Sequence, residues 1–249
     1  MASQLVVRLS LALLVLGVLT SQPVANAATA NPAARWQVVL AAGDDAEPVF
    51  DNATRALSQR LADAGVPTTN IHRLSASAAE LGAAVEPALA GILLQRIGTL
   101  PVRPGDRCLI FLTSHGERDA GLWLARSNTA LSPNELAQAL SRGCANVPTV
   151  VVVSACYSGS FAAGRMAKPN RIVLTAARND RPSFGCQAHR MYNFFDECLL
   201  LALPKSATWR GVADGSKECV RRMERALGAR PSEPQAYFGA VVAKLDVGF

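Results

Sequence analysis

The stretch TVVVVSACYSGSF, residues 149–161, is the most hydrophobic strand candidate beyond the first 27 residues. Four valines follow Thr149, and the run ends in small residues around Cys156. A short, unbroken apolar run of this kind is typical of a strand whose two faces are both buried, as in a parallel sheet. The stretch therefore predicts a central strand that ends close to a cysteine.

A second apolar run, RCLIFLTSHG at residues 107–116, ends in the same way at His115. Other strand candidates alternate along the chain with segments in which apolar residues recur at helical spacing. This alternation predicts a single α/β domain, a three-layer α/β/α sandwich with a mostly parallel central sheet. We expect further strands at residues 36–43, 70–76, 121–125 and 171–177, and helices at residues 50–65, 77–98 with a break at Pro87, 132–142, 191–203 and 214–228.

The first 27 residues have the pattern of a secretory signal peptide. Arg8 precedes an apolar run at residues 11–19, and residues 25–27 read ANA, a small-x-small cleavage site. The apolar run is shorter than the about 20 residues that a transmembrane helix needs. We therefore expect an exported protein, periplasmic or secreted, with no stable membrane association after cleavage. The expected parts are a signal peptide at 1–27, a short tether at 28–34 and a single domain at 35–249.

Composition bounds the class of protein. Half of the 249 residues are hydrophobic and 18% are charged, so the chain can bury a sizeable core and is neither disordered nor a polytopic membrane protein. The formal net charge is +6. The basic residues are scattered and do not alternate with aromatic ones, so no nucleic-acid partner is expected.

All six cysteines follow residue 27, and an exported protein can keep disulfides. No pair has the CxxC spacing of a zinc or redox site. We expect Cys108, which lies inside a predicted strand, to be an unpaired packing residue. With Cys156 kept free for chemistry, the bridge candidates are Cys144, Cys186, Cys198 and Cys219, and their pairing stays open.

His115 and Cys156 end two strands that we expect to be neighbours. The functional crevice of a parallel sheet lies beyond the carboxyl ends of its strands. The 41 positions from one residue to the other leave room for one hairpin and one crossover helix. An imidazole beside a thiol can take its proton and later give one to a leaving amine, which makes the pair a candidate nucleophile and acid/base. His189, in a polar loop, is a weaker candidate base.

The backbone around the two residues fits the same chemistry. Gly116 lets a substrate approach the main chain, and the N–H groups of Gly116 and Cys156 are the candidate oxyanion hole. The segment after Cys156 is expected to open a helix, whose N-terminus favours a thiolate. The residue that orients His115 stays open, with Asp44, Asp45, Glu117 and Asp119 as candidates.

The motifs SHG at 114–116 and SACYSGSF at 154–161 resemble the two catalytic motifs of the legumain-like cysteine peptidases, or asparaginyl endopeptidases, of the caspase-like clan. The resemblance covers roughly residues 36–202 and is closer to bacterial exported members. It implies a caspase-like fold and a cysteine endopeptidase that hydrolyses peptide or protein substrates through a thioester acyl-enzyme. It also implies that Cys156 is the nucleophile, that His115 is its acid/base partner, and that no metal or organic cofactor takes part.

The pocket for the residue before the scissile bond departs from the family pattern. In legumain, an arginine and two acids in this pocket accept asparagine. The matching region here, PVFDNA at 48–53, has no arginine, and Tyr157 replaces the acid after the nucleophile. Asp196 matches the second acid, and Asp51 is a further candidate. A pocket with these two acids is negative and predicts a lysine or arginine preference. In the competing interpretation, Asp51 caps a helix and Asp196 lies on the surface.

Three other functions remain open from the sequence. The acyl-enzyme of the same site can be transferred to an amine, which makes the protein a transpeptidase or ligase. A serine hydrolase using Ser158 or Ser160 is disfavoured, because the stretch lacks the G-x-S-x-G pattern. The third alternative is a non-catalytic exported binding module with a caspase-like fold. The sequence does not determine the oligomeric state.

Overall fold

The computed structural model describes residue 1 and residues 32–249, so the predicted signal peptide lies, its first residue apart, outside the described part of the chain. A 3₁₀ turn at Pro32–Arg35, with Ala33 buried, leads into the first strand. Ala33, which lies in the predicted tether, therefore packs in the core of the described fold. Among the described residues, no helix combines the length and the apolar character needed to cross a bilayer.

Ten strands and five α-helices make up the described fold. In chain order, the strands are β1 (Trp36–Ala42), β2 (Ile71–Ser75), β3 (Val85–Pro87), β4 (Arg107–Thr113), β5 (Gly116–Glu117), β6 (Gly121–Leu124), β7 (Thr129–Leu131), β8 (Thr149–Ser154), β9 (Arg171–Thr175) and β10 (Gln235–Phe238). The helices are α1 (Val49–Asp63), α2 (Ala90–Gly98), α3 (Pro133–Gly143), α4 (Phe194–Ala202) and α5 (Trp209–Ala226).

The central sheet has seven strands in the order β10-β9-β8-β4-β1-β2-β3, and only β10 runs antiparallel to its neighbour in the described chain. Strands β5, β6 and β7 form a separate antiparallel sheet. Alternate side chains of the central strands enter two different cores. Val38 and Leu40 pack with α1, α4 and α5, whereas Val39 and Ala41 pack with α2 and α3. This arrangement confirms the predicted three-layer α/β/α sandwich with a mostly parallel sheet.

The predicted helix at residues 77–98 is wrong in its first half. Residues Ala78–Glu80 form a 3₁₀ turn, and β3 pairs in parallel with β2 before α2 begins at Ala90. Pro87 has no N–H and a fixed φ, so it fits the end of an edge strand and not a helix interior. The C-terminal region, expected to be mostly helical, also contains β10. Its four residues are too short for a clear alternating pattern.

Two disulfides connect neighbouring elements. The Cys108–Cys144 bridge joins β4 to the residue that caps the end of α3, and the Cys198–Cys219 bridge joins α4 to α5. The expectation that Cys108 is unpaired is therefore wrong. Its side chain points into the core beneath α3, where Cys144 lies with a Cα–Cα distance of 6.3 Å, which is within the range of a disulfide.

Candidate active site

His115 and Cys156 leave the sheet at corresponding positions of adjacent strands. Strands β4 and β8 pair in parallel, and the last pair in their register is Thr113 with Ser154. His115 and Cys156 each follow that pair by two residues. The Ser114 N–H donates to the Ser154 carbonyl at 3.1 Å, which extends the pairing one step further. The predicted adjacency of the two strands is confirmed.

Gly116 is packed against the backbone of Cys156. A β carbon at position 116 would collide with the Cys156 carbonyl oxygen, so the position requires glycine. The Trp123 N–H donates to the His115 carbonyl at 3.0 Å, which makes Gly116 and Leu122 a non-hydrogen-bonded pair of the hairpin. The Gly116 N–H therefore points away from β6. Within residues 32–249, the Cys156 N–H has no backbone acceptor either.

The His115 ring is held by packing. It is half-buried and lies edge to face against Phe50, with 5.2 Å between ring centroids. Phe50 is fully buried in the first turn of α1. In the described part of the chain, the His115 ring makes no hydrogen bond with a carboxylate. Of the acids considered for this role, Asp45, Glu117 and Asp119 are exposed, and Asp44 accepts the Ala46 N–H at 2.7 Å.

The Cys156 thiol contacts the loop between β9 and α4. The Ser183 N–H donates to Sγ at 3.2 Å, and the carbonyl and hydroxyl oxygens of Ser183 each lie 3.6 Å from Sγ. The Tyr157 N–H donates to the Arg181 carbonyl at 2.8 Å and fixes the same loop. Among the described residues, no hydrogen bond joins Cys156 to His115. A backbone N–H aimed at sulfur is a charge-assisted donor when the thiol ionises.

The sequence did not reveal Ser183 as a site residue. A backbone donor carries no side-chain signature, so neither residue type nor spacing marks it. The available cue was that the surrounding segment, residues 175–186, follows the strand after the nucleophile. Only the folded loop shows which of its N–H groups reaches the sulfur.

The segment after Cys156 does not open an α-helix, and that expectation is wrong. Tyr157 has a left-handed backbone with φ 57°, and Ser158–Ala162 form a 3₁₀ turn. Short 3₁₀ segments align few peptide dipoles, so the turn offers little of the helix-terminus effect. Ser158 is buried and its hydroxyl accepts the Ala177 N–H at 3.3 Å, which disfavours it as an alternative nucleophile.

A buried polar network lies at the ends of β4 and β8. The Oδ2 atom of Asp196 accepts the Thr113 hydroxyl and the Asn193 side-chain amide, both at 2.6 Å. Asn193 also caps α4, and its amide donates to the Ser154 hydroxyl at 3.2 Å. Burial raises the pKa of Asp196 to about 7, against the lowering effect of the hydrogen bonds from these three residues. Asp196 is 0% exposed, so the surface interpretation is wrong.

Asp51 lies farther from the nucleophile. It sits in the first turn of α1, which has no side-chain cap, so the capping interpretation is wrong. Its Oδ2 atom accepts the Ser75 hydroxyl at 3.0 Å, and Arg73 lies 4.0 Å from Oδ1. Burial raises the pKa of Asp51, and the bond to Ser75 opposes this. Asp51 thus links α1 to β2, two strands away from β4.

Tyr157 lies at the rim of the crevice. Its ring is partly exposed, and the Arg118 guanidinium from the turn between β5 and β6 lies over it at 5.0 Å. A cation over an aromatic face is attracted to the ring electrons. The pair therefore ties the histidine-bearing hairpin to the residue after the nucleophile.

A cavity of about 860 Å³ lies between α1 and α4, away from this crevice. It contains neither His115 nor Cys156. At the nucleophile itself, the Ser183 loop occupies the space beside the sulfur. In the described part of the chain, no group of three or more His, Cys, Asp or Glu side chains is placed to hold a metal ion.

Residues 91–208 match the family model described as the Peptidase C13 family, which is the legumain family. The matched stretch contains His115, Cys156 and Asp196. Over this stretch, the chain is similar to the legumain-like family. No curated protein matches the chain. The match agrees with the three-layer fold, and it indicates a cysteine peptidase type of function with a peptide or protein as substrate.

Proposed function

We propose that this chain is a cysteine endopeptidase with Cys156 as nucleophile and His115 as acid/base partner. The observation that carries the proposal is the β4–β8 register, in which both residues follow the Thr113–Ser154 pair by two positions. The close packing of Gly116 on the Cys156 carbonyl holds the histidine loop against the cysteine loop. The family match supports peptidase chemistry at this place.

In the proposed reaction, His115 takes the proton of the Cys156 thiol, and the sulfur attacks the carbonyl carbon of the scissile bond. The Gly116 and Cys156 N–H groups donate to the oxyanion that forms. His115 then protonates the leaving amine, the C–N bond breaks, and a thioester remains on the enzyme. A water that gives its proton to His115 hydrolyses the thioester and restores the thiol.

The Ser183 loop has two effects in this scheme. Its carbonyl and hydroxyl oxygens lie 3.6 Å from Sγ, where a substrate carbonyl has to approach, so the loop must shift when a peptide binds. Its N–H group donates to the sulfur at 3.2 Å in the free protein.

We also propose that the protein is exported and acts in the periplasm or outside the cell. The signal-peptide pattern of residues 1–27 supports this location. The two disulfides support it as well, because such bonds persist in oxidising compartments. N-terminal sequencing of the secreted protein tests the proposal, and a mature chain that begins after Ala27 is the expected result.

Covalent labelling tests the proposed dyad. Peptidyl acyloxymethyl ketones should add one label to the purified mature protein by intact mass, and the label should be absent from Cys156→Ala and His115→Ala. The matched controls are Cys186→Ala, which removes the other free cysteine, and His189→Ala, which removes another histidine. Both controls should label like the unmodified protein.

The same labelling experiment can also contradict the proposal. Labelling that persists in Cys156→Ala, or that proceeds at the normal rate in His115→Ala, would contradict the assigned roles. Absence of labelling by every probe would contradict catalysis itself. Mass analysis of peptide products, with and without an added amine, then separates hydrolysis from transfer.

A further inference from the structure

Residues 178–183 lie against the nucleophile in the free protein. At the end of this segment, the Ser183 N–H lies 3.2 Å from the Cys156 sulfur, and the carbonyl and hydroxyl oxygens of Ser183 lie 3.6 Å from it. The Tyr157 N–H, next to the nucleophile, donates to the Arg181 carbonyl at 2.8 Å. A peptide carbonyl has to reach the same sulfur, so it competes with this segment for space. We call residues 178–183 the latch.

The latch also packs on the 3₁₀ turn that follows the nucleophile. Gly159 lies in that turn, and a β carbon at this position would come within 2.5 Å of the Asn179 nitrogen and 2.8 Å of the Arg178 carbonyl carbon. Contact this close is possible only because residue 159 has no side chain. The backbone of the latch therefore lies directly on the turn, and this contact sets its closed position.

Two ion pairs connect the latch to the segment between α5 and β10. Glu233 in that segment binds Arg178 at 2.7 Å through one carboxylate oxygen and Arg181 at 3.0 Å through the other. The Arg178 N–H donates to the Ser232 carbonyl at 2.9 Å, and the Arg181 guanidinium donates to the Pro231 carbonyl at 3.0 Å. One carboxylate thus bridges both arginines of the latch.

The segment that carries Glu233 is anchored to the rest of the fold. The Ser232 N–H donates at 2.9 Å to a carboxylate oxygen of Glu224, a buried residue of α5. Glu233 itself has a left-handed backbone, with φ 57°, which is uncommon for a residue other than glycine. Such a conformation persists where the surrounding contacts fix the backbone. The carboxylate that bridges the two arginines is therefore held in a fixed place.

We propose that the latch is autoinhibitory, being closed over Cys156 by the two ion pairs of Glu233 and opened when these pairs weaken. The proposal rests on the endopeptidase function proposed above. The Arg178 and Glu233 side chains are each 38% exposed, and ion pairs this close to water are weak and are screened by salt. The ionic strength of the surroundings then sets the fraction of molecules in which the latch is open.

Rates of covalent labelling test the latch. Glu233→Gln removes the charge that bridges both arginines and keeps the shape of the side chain. A peptidyl acyloxymethyl ketone needs room at the sulfur, so its second-order rate constant follows the fraction of open molecules. We expect Glu233→Gln to raise this rate constant roughly threefold to tenfold at low salt, because two partly exposed ion pairs are lost. Raising the salt concentration from about 0.05 M to about 0.5 M should speed labelling of the unmodified protein and change that of Glu233→Gln much less.

The matched control for the labelling experiment is Glu218→Gln. The Glu218 carboxylate in α5 also bridges two arginines, Arg221 and Arg225, and its side chain is 42% exposed. This variant should leave the labelling rate and its salt dependence unchanged. A Glu233→Gln variant that labels no faster than the unmodified protein at low salt would overturn the latch and leave the endopeptidase proposal intact.

Hydrogen exchange separates failure of the latch from failure of catalysis. The N–H groups of Tyr157, Arg178 and Ser183 are all bonded across the closed latch, so they exchange through the open state. Mass spectrometry should show them exchanging roughly threefold to tenfold faster in Glu233→Gln and at the unmodified rate in Glu218→Gln. This result would support the latch even if no probe labels the protein, in which case the endopeptidase proposal alone fails. Unchanged exchange in Glu233→Gln would overturn the latch.

Discussion

Asp196→Asn should change how the stability of the protein depends on pH. Burial raises the pKa of this carboxyl from 3.8 to about 7 in the folded chain. Between these values the folded state keeps the proton while the unfolded state has lost it. The free energy of unfolding therefore falls as pH rises through this window, and the contribution is fully lost above the folded pKa. The difference between the two pKa values corresponds to about 4 kcal/mol in the free energy of unfolding.

Urea unfolding at a series of pH values from 4 to 8, followed by tryptophan fluorescence, measures this effect. Relative to Asp196→Asn, the free energy of unfolding of the unmodified protein should fall by about 4 kcal/mol as the pH rises through the series. The difference between the two curves cancels the groups that both proteins share. The variant leaves a buried amide without an acceptor, so the slope with pH, and not the absolute stability, is the quantity compared.

Asp45→Asn is the control for this experiment, because Asp45 is exposed and should leave the curve parallel to that of the unmodified protein. Parallel curves for Asp196→Asn as well would refute the reasoning. They would mean that the folded chain holds Asp196 ionised at pH 5, and that Thr113 and Asn193 compensate for its burial.

Two further predictions concern the disulfide below the site and the donor at the nucleophile. Replacing both Cys108 and Cys144 with alanine should lower the free energy of unfolding by about 4 kcal/mol, because the bridge closes a loop of 36 residues. A loss of less than about 1 kcal/mol in urea unfolding would contradict this expectation. Ser183→Pro removes the N–H that donates to Cys156, so iodoacetamide should alkylate that thiol roughly tenfold more slowly at neutral pH, since a hydrogen bond to a charged group is worth about 1.5–3 kcal/mol. Peptide mapping measures the rate, Ser183→Ala keeps the N–H as control, and equal rates in both variants would contradict the role of the donor.

Local patterns were sufficient for the elements around the site. The valine run before Cys156 predicted β8, and the apolar run before His115 predicted β4. Strands that are buried on both faces consist almost entirely of apolar residues, so such runs are easy to recognise in a sequence. The predicted helix at residues 132–142 is α3, where Ser132 and Glu135 form a capping box with a proline in the first turn. The adjacency of β4 and β8 followed from the short chain length between them.

The parts that sequence did not reveal depend on contacts between distant residues. The Cys108–Cys144 bridge requires knowing that the end of α3 lies over β4. The role of Ser183 requires the path of a long loop. The buried network at the strand ends combines Thr113 in β4 with Asp196 in α4, and only the packing of α4 against the sheet brings them together.

Strand β3, at the edge of the central sheet, affects whether copies of this chain can pair with each other through their strands during folding. An exposed strand edge is a template on which another chain can add a strand and begin amyloid-like growth. At β3, Val85 uses both its N–H and its carbonyl on Gly82, each at 3.2 Å, and Pro87 has no N–H to offer. Glu86, bonded to Arg96 at 2.6 Å, adds charge between them. This end of the sheet therefore resists aggregation by strand addition.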